Sequence, residues 1–165
     1  MAVDSETLRT VMRHWATGVA VLTVRDGAHV HGMTVNSFSS VSLEPPLVLV
    51  CIERVVRTHG LLEHARTFGL SILAEGQAEI SNRFAGRDTE HADRFEGLET
   101  YTAVTGAPFI VGNIGYLDCQ VVAAHEVGTH TIFVAEVLSA HVVNGSQPLL
   151  YYDRAYRKIE LLPEQ

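Results

Sequence analysis

Gly32-Met33-Thr34-Val35-Asn36-Ser37-Phe38-Ser39-Ser40-Val41-Ser42-Leu43-Glu44-Pro45-Pro46 is the stretch on which the reading of this chain turns. It begins where a β-type alternation ends and stops at a double proline. Six of its residues carry a short hydroxyl or amide: Thr34, Asn36, Ser37, Ser39, Ser40 and Ser42. Such a run can line a planar, polar ligand at close range. It reads equally as a hydroxyl-rich strand and turn, because Ser and Asn satisfy nearby backbone groups in turns. The flanking sequence has to separate the two.

Upstream, residues 19–24 are a short apolar, β-branched run, which predicts a buried strand. Arg25-Asp26-Gly27 signals a hairpin, since Asp-Gly supplies the positive φ of a tight turn. The returning strand, 28–35, runs straight into the polar stretch. Ahead of both, Asp4 or Ser5 is placed to cap a helix through Trp15, with Leu8, Val11, Met12 and Trp15 as one apolar face. Downstream, the prolines stiffen the approach to 47–52, a fully apolar strand. Thr58 is placed to cap a short helix over 59–66. A strand over 68–73 and a helix over 76–85 follow, with Gly86 as the stop. Residues 87–99 are charged and expected to be irregular or briefly helical, and Gly106-Ala107-Pro108 is a turn. Three longer strands are expected at 114–125, 129–143 and 149–159, joined by Glu126-Val127-Gly128 and Asn144-Gly145-Ser146-Gln147. Many strands at short spacing with few helices predict a mainly β fold: an antiparallel barrel with short peripheral helices, as one domain over 1–165.

Composition narrows the function. A length of 165 residues with 47% apolar content suits one domain with a real core. No apolar run approaches the ~20 residues of a membrane helix. The acidic, polar start is no signal peptide, so a cytoplasmic protein is expected. A net charge of −7 without a Lys/Arg cluster argues against a nucleic-acid partner. Cys51 and Cys119 sit in apolar segments without a C-x-x-C and read as reduced thiols. His29 and His31 share a strand face, but the nine histidines form no ligand spacing, so no metal is expected. Dinucleotide, P-loop and nucleophile-elbow motifs are absent.

What recurs is chemistry suited to an anionic, ring-bearing ligand. Arg54, Arg57 and Thr58 lie between a strand and a helix start, where a phosphate would meet guanidiniums, a hydroxyl and free helix N–H groups. Phe84, Ala85, Gly86 and Arg87, with Arg83, form a second such group. Tyr151, Tyr152 and Tyr156, with Arg154 and Arg157, suit a flat ring or a second phosphate. Each group reads also as a solvated face, and Glu53 beside Arg54 as an ion pair. His130, after a turn and before Thr131-Ile132-Phe133-Val134, reads alone as a hydrogen-bonded structural group.

Several segments taken in order carry a resemblance: Thr17-Gly18-Val19-Ala20-Val21-Leu22-Thr23, the 32–47 stretch, Gln77-Ala78-Glu79-Ile80-Ser81-Asn82-Arg83-Phe84-Ala85, Arg94-Phe95, Thr105-Gly106-Ala107-Pro108, Gly128-Thr129-His130 and Pro148-Leu149-Leu150-Tyr151-Tyr152. Over nearly its whole length the chain resembles the short-chain flavin reductases of the FMN-binding split-barrel fold, the reductase components of two-component flavin monooxygenases. The resemblance implies a split barrel, a homodimer, and FMN or FAD bound near the subunit interface. It places Thr34, Val35, Asn36, Ser37, Ser39 and Ser40 along the flavin ring and ribityl chain. Cys51, Ile52, Glu53, Arg54, Arg57 and Thr58 would follow the ribityl–phosphate side, and Phe84, Ala85, Gly86 and Arg87 would add backbone and phosphate contacts. Tyr152 and Tyr156 belong to the same expected site. His130 stands where the family has the histidine of a Gly-Asp-His motif, which contacts the nicotinamide; here Thr129 replaces the Asp.

The implied activity is NAD(P)H:flavin oxidoreduction, with NADH favoured because no arginine cluster awaits a 2′-phosphate. Reduced flavin would pass to a separate monooxygenase. The alternatives kept open are a split-barrel protein holding FMN tightly as an oxidase, and a non-enzymatic flavin- or haem-binding module.

Overall fold

A computed structural model of the chain describes residues 2–87, 90–91, 93–143 and 145–160. Helix α1 is Ser5–Met12; strands β1 to β5 are Thr17–Gly18, Ala20–Asp26, His29–Val35, Phe38–Leu43 and Pro46–Glu53. Helix α2 is Arg57–Ala65 and β6 is Thr67–Ile72; a 3-10 turn, Glu75–Gln77, leads into α3, Ala78–Phe84. Strands β7 to β12 are Thr100–Thr102, Pro108–Ile110, Gly115–Val127, His130–Val142, Leu150–Tyr152 and Ala155–Arg157.

Seven strands form one antiparallel sheet in the order β3-β2-β6-β9-β10-β5-β4. Its two edges, β3 and β4, are consecutive in the chain and joined by only Asn36 and Ser37. A two-residue link can bridge the two edges only if the sheet curls right round. The result is a barrel split between β3 and β4, and the polar stretch crosses the split. Inside, Leu22, Val24, Val50, Ile52, Phe68, Leu70 and Phe133 are almost fully buried and pack as one cluster. Burying apolar side chains in this way is the main stabilising term, about 1.5–3 kcal/mol for each large one.

The tight turns follow from their sequences. Asp26 pairs with His29 across Gly27–Ala28, and Val127 with His130 across Gly128–Thr129; Gly27 and Gly128 take φ of 58° and 59°. A side chain resists that left-handed region, and glycine does not. Gly86 ends α3 likewise, at φ 71°.

Four expectations need correction. The helix expected from His59 begins at Arg57, with Val56 at its N-cap and no capping side chain, so Thr58 is buried in the first turn instead of capping it. The single strand expected over 149–159 is a hairpin of β11 and β12, turned by Asp153 and Arg154 at φ 45° and 61°. The fully apolar 47–52 strand alternates: Val48, Val50 and Ile52 point into the core, while Leu47, Leu49 and Cys51 stay half-exposed outside. The helix expected through Trp15 ends at Met12, and its apolar face is not buried: Leu8, Val11 and Met12 are exposed, as is Trp15 beyond its end. Asp4 does cap α1, accepting from the Thr7 amide at 2.8 Å. Asn144, in the expected turn, and Asp88, Thr89 and Ala92, in the expected irregular segment, lie outside the described residues.

Candidate functional site

A cleft of about 1180 Å³ runs along the outer edge of β3. Residues 28–34 supply one wall. Arg57 and Thr58 of α2, Phe84 and Ala85 at the end of α3, and Arg94 supply the others, and Arg25 stands at the hairpin end. At the other end Thr34 and Ala85 are shared with a smaller pocket of about 170 Å³, lined also by Val35, Asn36, Arg87, Tyr151 and Tyr156. Residues of three groups suspected separately (Thr34, Val35 and Asn36; Arg57 and Thr58; Phe84, Ala85 and Arg87) therefore line two adjoining recesses that share Thr34 and Ala85.

Local packing sets their positions. Gly32 lets the Phe84 ring approach β3 closely: a Cβ there would stand 2.6 Å from that ring. Arg94 donates from Nη1 to the carbonyls of Gly32 and Phe84, at 2.8 and 3.0 Å, tying strand to helix end. The Thr34 hydroxyl donates to the Ser81 carbonyl at 2.6 Å. Tyr156 donates toward Ser81 Oγ and Asn82 Oδ1, both at 2.9 Å, so β12 is fastened to α3. Arg87 reaches Tyr151 Oη at 3.4 Å.

Other polar side chains of the opening stretch are partly spent within the protein. Asn36 Nδ2 donates to Thr17 Oγ1, Ser37 Oγ to the Cys51 carbonyl at 2.8 Å, and Ser39 Oγ to the Ser40 carbonyl. Ser37, Ser39 and Ser40 are exposed on the β4 side of the split, outside the two recesses. Cys51 is half-exposed beside Ser37, with its thiol raised by burial. Ile52 was expected along the flavin, but its side chain lies in the barrel core and is 1% exposed. Arg54 was read as pairing with Glu53; it binds Glu126 at 2.6 Å and the Gly128 carbonyl at 2.9 Å, bracing the β9–β10 hairpin. Glu53 lies opposite His130 across β5 and β10, and His130 Nδ1 contacts Thr129 Oγ1 at 2.9 Å. His130 is exposed and lines neither recess; Gly86 and Tyr152 line neither as well. Tyr152 contacts His14 instead, at 3.3 Å.

Sequence reasoning missed the cationic wall of the cleft. Arg25 and Arg94 line it, with His29 and His31 between them and Asp93 as the carboxylate among its lining residues. His31 is half-buried there, and its imidazole is pushed down to about 4, first by burial and then by the Arg94 and Arg57 guanidiniums. The signals available were Arg94-Phe95, which carried only resemblance, and the His29/His31 face, which was weighed only for metal.

The donor set fits a phosphate-bearing flavin. Among the described residues the Arg57 side chain makes no hydrogen bond or ion pair, and the Thr58 hydroxyl makes no hydrogen bond to the protein. The first-turn N–H groups of α2 have no capping side chain, and both residues face the cleft. An uncapped helix start beside an unspent guanidinium is an anion site.

Fold and recess together define a split barrel with an anion-suited cleft beside its seam. The chain belongs to the flavin reductase like domain family, which matches residues 12–160. It is 33% identical over 159 residues to the flavin-dependent monooxygenase reductase subunit HsaB of Rhodococcus jostii, covering 96% of this chain and 80% of that one. It is 39% identical to an NADH-dependent flavin reductase of a Rhodococcus species, covering 94% and 86% of the two chains. The NADH:FAD oxidoreductase SgcE6 of Streptomyces globisporus C-1027, solved with NAD and FAD fragments, superposes with a TM-score of 0.87 at 35% identity, over 97% of each chain.

Proposed function

We propose that this protein is an NADH-dependent flavin reductase that supplies reduced flavin to a separate monooxygenase. The observation that carries this is the meeting of Thr34, Arg57–Thr58 and Phe84–Ala85 in one cleft, with Val35 and Asn36 in the pocket that adjoins it. Bound flavin supplies the acceptor for a hydride, taken at its N5 from C4 of the nicotinamide. The chain's own residues bind and orient. Arg57, Thr58 and the start of α2 hold the phosphate. Asn36 Oδ1, which makes no protein hydrogen bond among the described residues and lines the smaller pocket, faces the ring's polar edge. Thr34 is fixed by Ser81 and shapes the wall. His130, at a hairpin start, contacts the nicotinamide. An acid–base pair is not needed, because the cofactors carry the chemistry and the protein supplies alignment.

The working form is a homodimer. What supports it is the outer face of the sheet, where Leu47, Leu49 and Cys51 on β5 and Ile132 and Val134 on β10 form a half-exposed apolar band. Cys51 lies opposite Ile132 and Leu49 opposite Val134, so the band is continuous. A second copy covers it and brings further surface to the exposed β4 side of the split. The free thiols of Cys51 and Cys119 suit a reducing, cytoplasmic setting. Among the described residues no helix is long and apolar enough to cross a membrane.

The test is direct. Purified protein is mixed with NADH or NADPH and with FMN, FAD or riboflavin, and the nicotinamide absorbance is followed. Faster oxidation than in protein-free controls is expected, with NADH ahead of NADPH. No acceleration with any pair sinks the proposal.

A further inference from the structure

Outside both recesses the protein buries a polar pair between α2 and β10. His59 is 6% exposed and Thr131 is 1% exposed, and His59 Nε2 lies 2.8 Å from Thr131 Oγ1. The imidazole meets the Phe133 ring edge-on, 5.4 Å between centroids, and its Nδ1 faces the Glu63 carboxylate at 3.5 Å. A carboxylate only accepts, so the neutral ring carries its proton on Nδ1, and Nε2 accepts from the Thr131 hydroxyl. An imidazole in such a place costs more to bury than a leucine unless its hydrogen bonds are made. A satisfied pair of this kind fixes one arrangement of the elements that carry it.

The position of the pair in the chain gives that rigidity a use. Thr131 lies opposite Ile52 in the β5–β10 ladder, while its side chain holds His59. One residue of β10 therefore fastens both ends of the segment 52–59, which carries Arg57 and Thr58. Nearer its middle, the Arg54 amide donates to the Thr129 carbonyl at 3.0 Å. The first turn of α2 has no capping side chain to hold it. Among the described residues, the other side-chain hydrogen bond from α2 to the barrel joins His64 to Asp26, exposed and near the far end of the helix. Helix ends held by few contacts fray readily. The buried pair is what keeps Arg57 and Thr58 aimed at the cleft.

We propose that His59 is a positioning residue for the flavin phosphate: through Thr131 it locks the first turn of α2 onto β10, so that Arg57, Thr58 and the neighbouring N–H groups present a fixed anion site. His59 itself lines neither recess and acts only through these groups. The inference rests on the flavin-reductase reading above.

Steady-state NADH oxidation with FMN, FAD and riboflavin tests it, on two pairs of variants that approach the bond from opposite sides. Thr131→Val and His59→Leu remove it; Thr131→Ser and His59→Gln keep a hydroxyl or an acceptor in place. The first two should raise the KM for FMN and FAD by about tenfold, with kcat at saturating flavin and the KM for riboflavin unchanged. The conservative variants should recover most of that loss. The double variant Thr131→Val/His59→Leu should be no worse than either single one, as for two ends of one interaction. If one pair fails to fold, the other decides. An equal rise in KM for riboflavin overturns the proposal, because it marks a general loss of structure; so does an unchanged KM for FMN. Both leave a flavin reductase. A wild-type chain that oxidises NADH with no flavin overturns the flavin-reductase reading instead.

Discussion

At the scale of single residues, three positions carry separable consequences. His31 titrates near 4 in the folded chain, against an ordinary 6.5. As pH falls from 6.5 the unfolded chain takes up this proton first, so folding loses stability across the window down to about 4. His31→Gln should therefore show a smaller drop in Tm over that range; an equal drop would clear His31 as a source of acid lability. Gly32 is a packing position. Gly32→Ala pushes a methyl into the Phe84 ring, and overpacking of this kind costs about 1–3 kcal/mol. Urea denaturation should show that loss, whereas Gly18→Ala, with open space around it, should fall well short of it. His130→Ala should raise the KM for NADH several-fold and leave flavin affinity unchanged. Unaltered NADH kinetics would remove His130 from the site.

At the scale of elements, the start of α2 is the most informative piece. Arg57→Ala should raise the KM for FMN and FAD by about tenfold, as expected for one lost charge-assisted contact, and leave riboflavin untouched because it has no phosphate. Equal loss for all three flavins would mean a structural effect. The place of this element was legible in the sequence, since apolar strand, Arg-Thr and helix lie within a few residues of one another, but its start at Arg57 was not, because Thr58 looks like a cap and is instead buried in the first turn. The Asp26-Gly27 hairpin was legible for the same reason: its conformational demand and its residues coincide. The β11–β12 hairpin was not. Asp153 and Arg154 take positive φ without a glycine or asparagine, and Asp153 is held by a salt bridge to Arg13 that only the folded chain brings together. Nor was the cationic wall, because Arg25 and Arg94 come from separate segments and each alone looks like surface. The inward and outward alternation of β5 was hidden because both of its faces are apolar, leaving no pattern to read.

At the scale of the whole molecule, an acidic protein carries a basic groove. The net charge is −7, yet Arg25, Arg57 and Arg94 line one cleft. Flavin affinity should fall as salt rises, because exposed charges are screened over about 10 Å at 0.1 M and less at higher salt. A salt-independent KM would mean that these charges take no part. The apolar band across β5 and β10 makes a further whole-molecule prediction. The wild type should sediment as a dimer, and Leu49→Asp as a monomer with an unchanged β-type circular dichroism spectrum; a monomeric wild type ends the dimer proposal. One feature binds these scales together. The cleft follows a sheet edge, and among the described residues β3 has no strand beyond it. An unpaired edge is a template on which other chains can add. The arginines that invite phosphate also keep foreign strands away, and a seated cofactor would close the edge. Neutralising them to retune cofactor choice would thus cost solubility before it cost turnover, and cells short of flavin should accumulate more of this protein as aggregate.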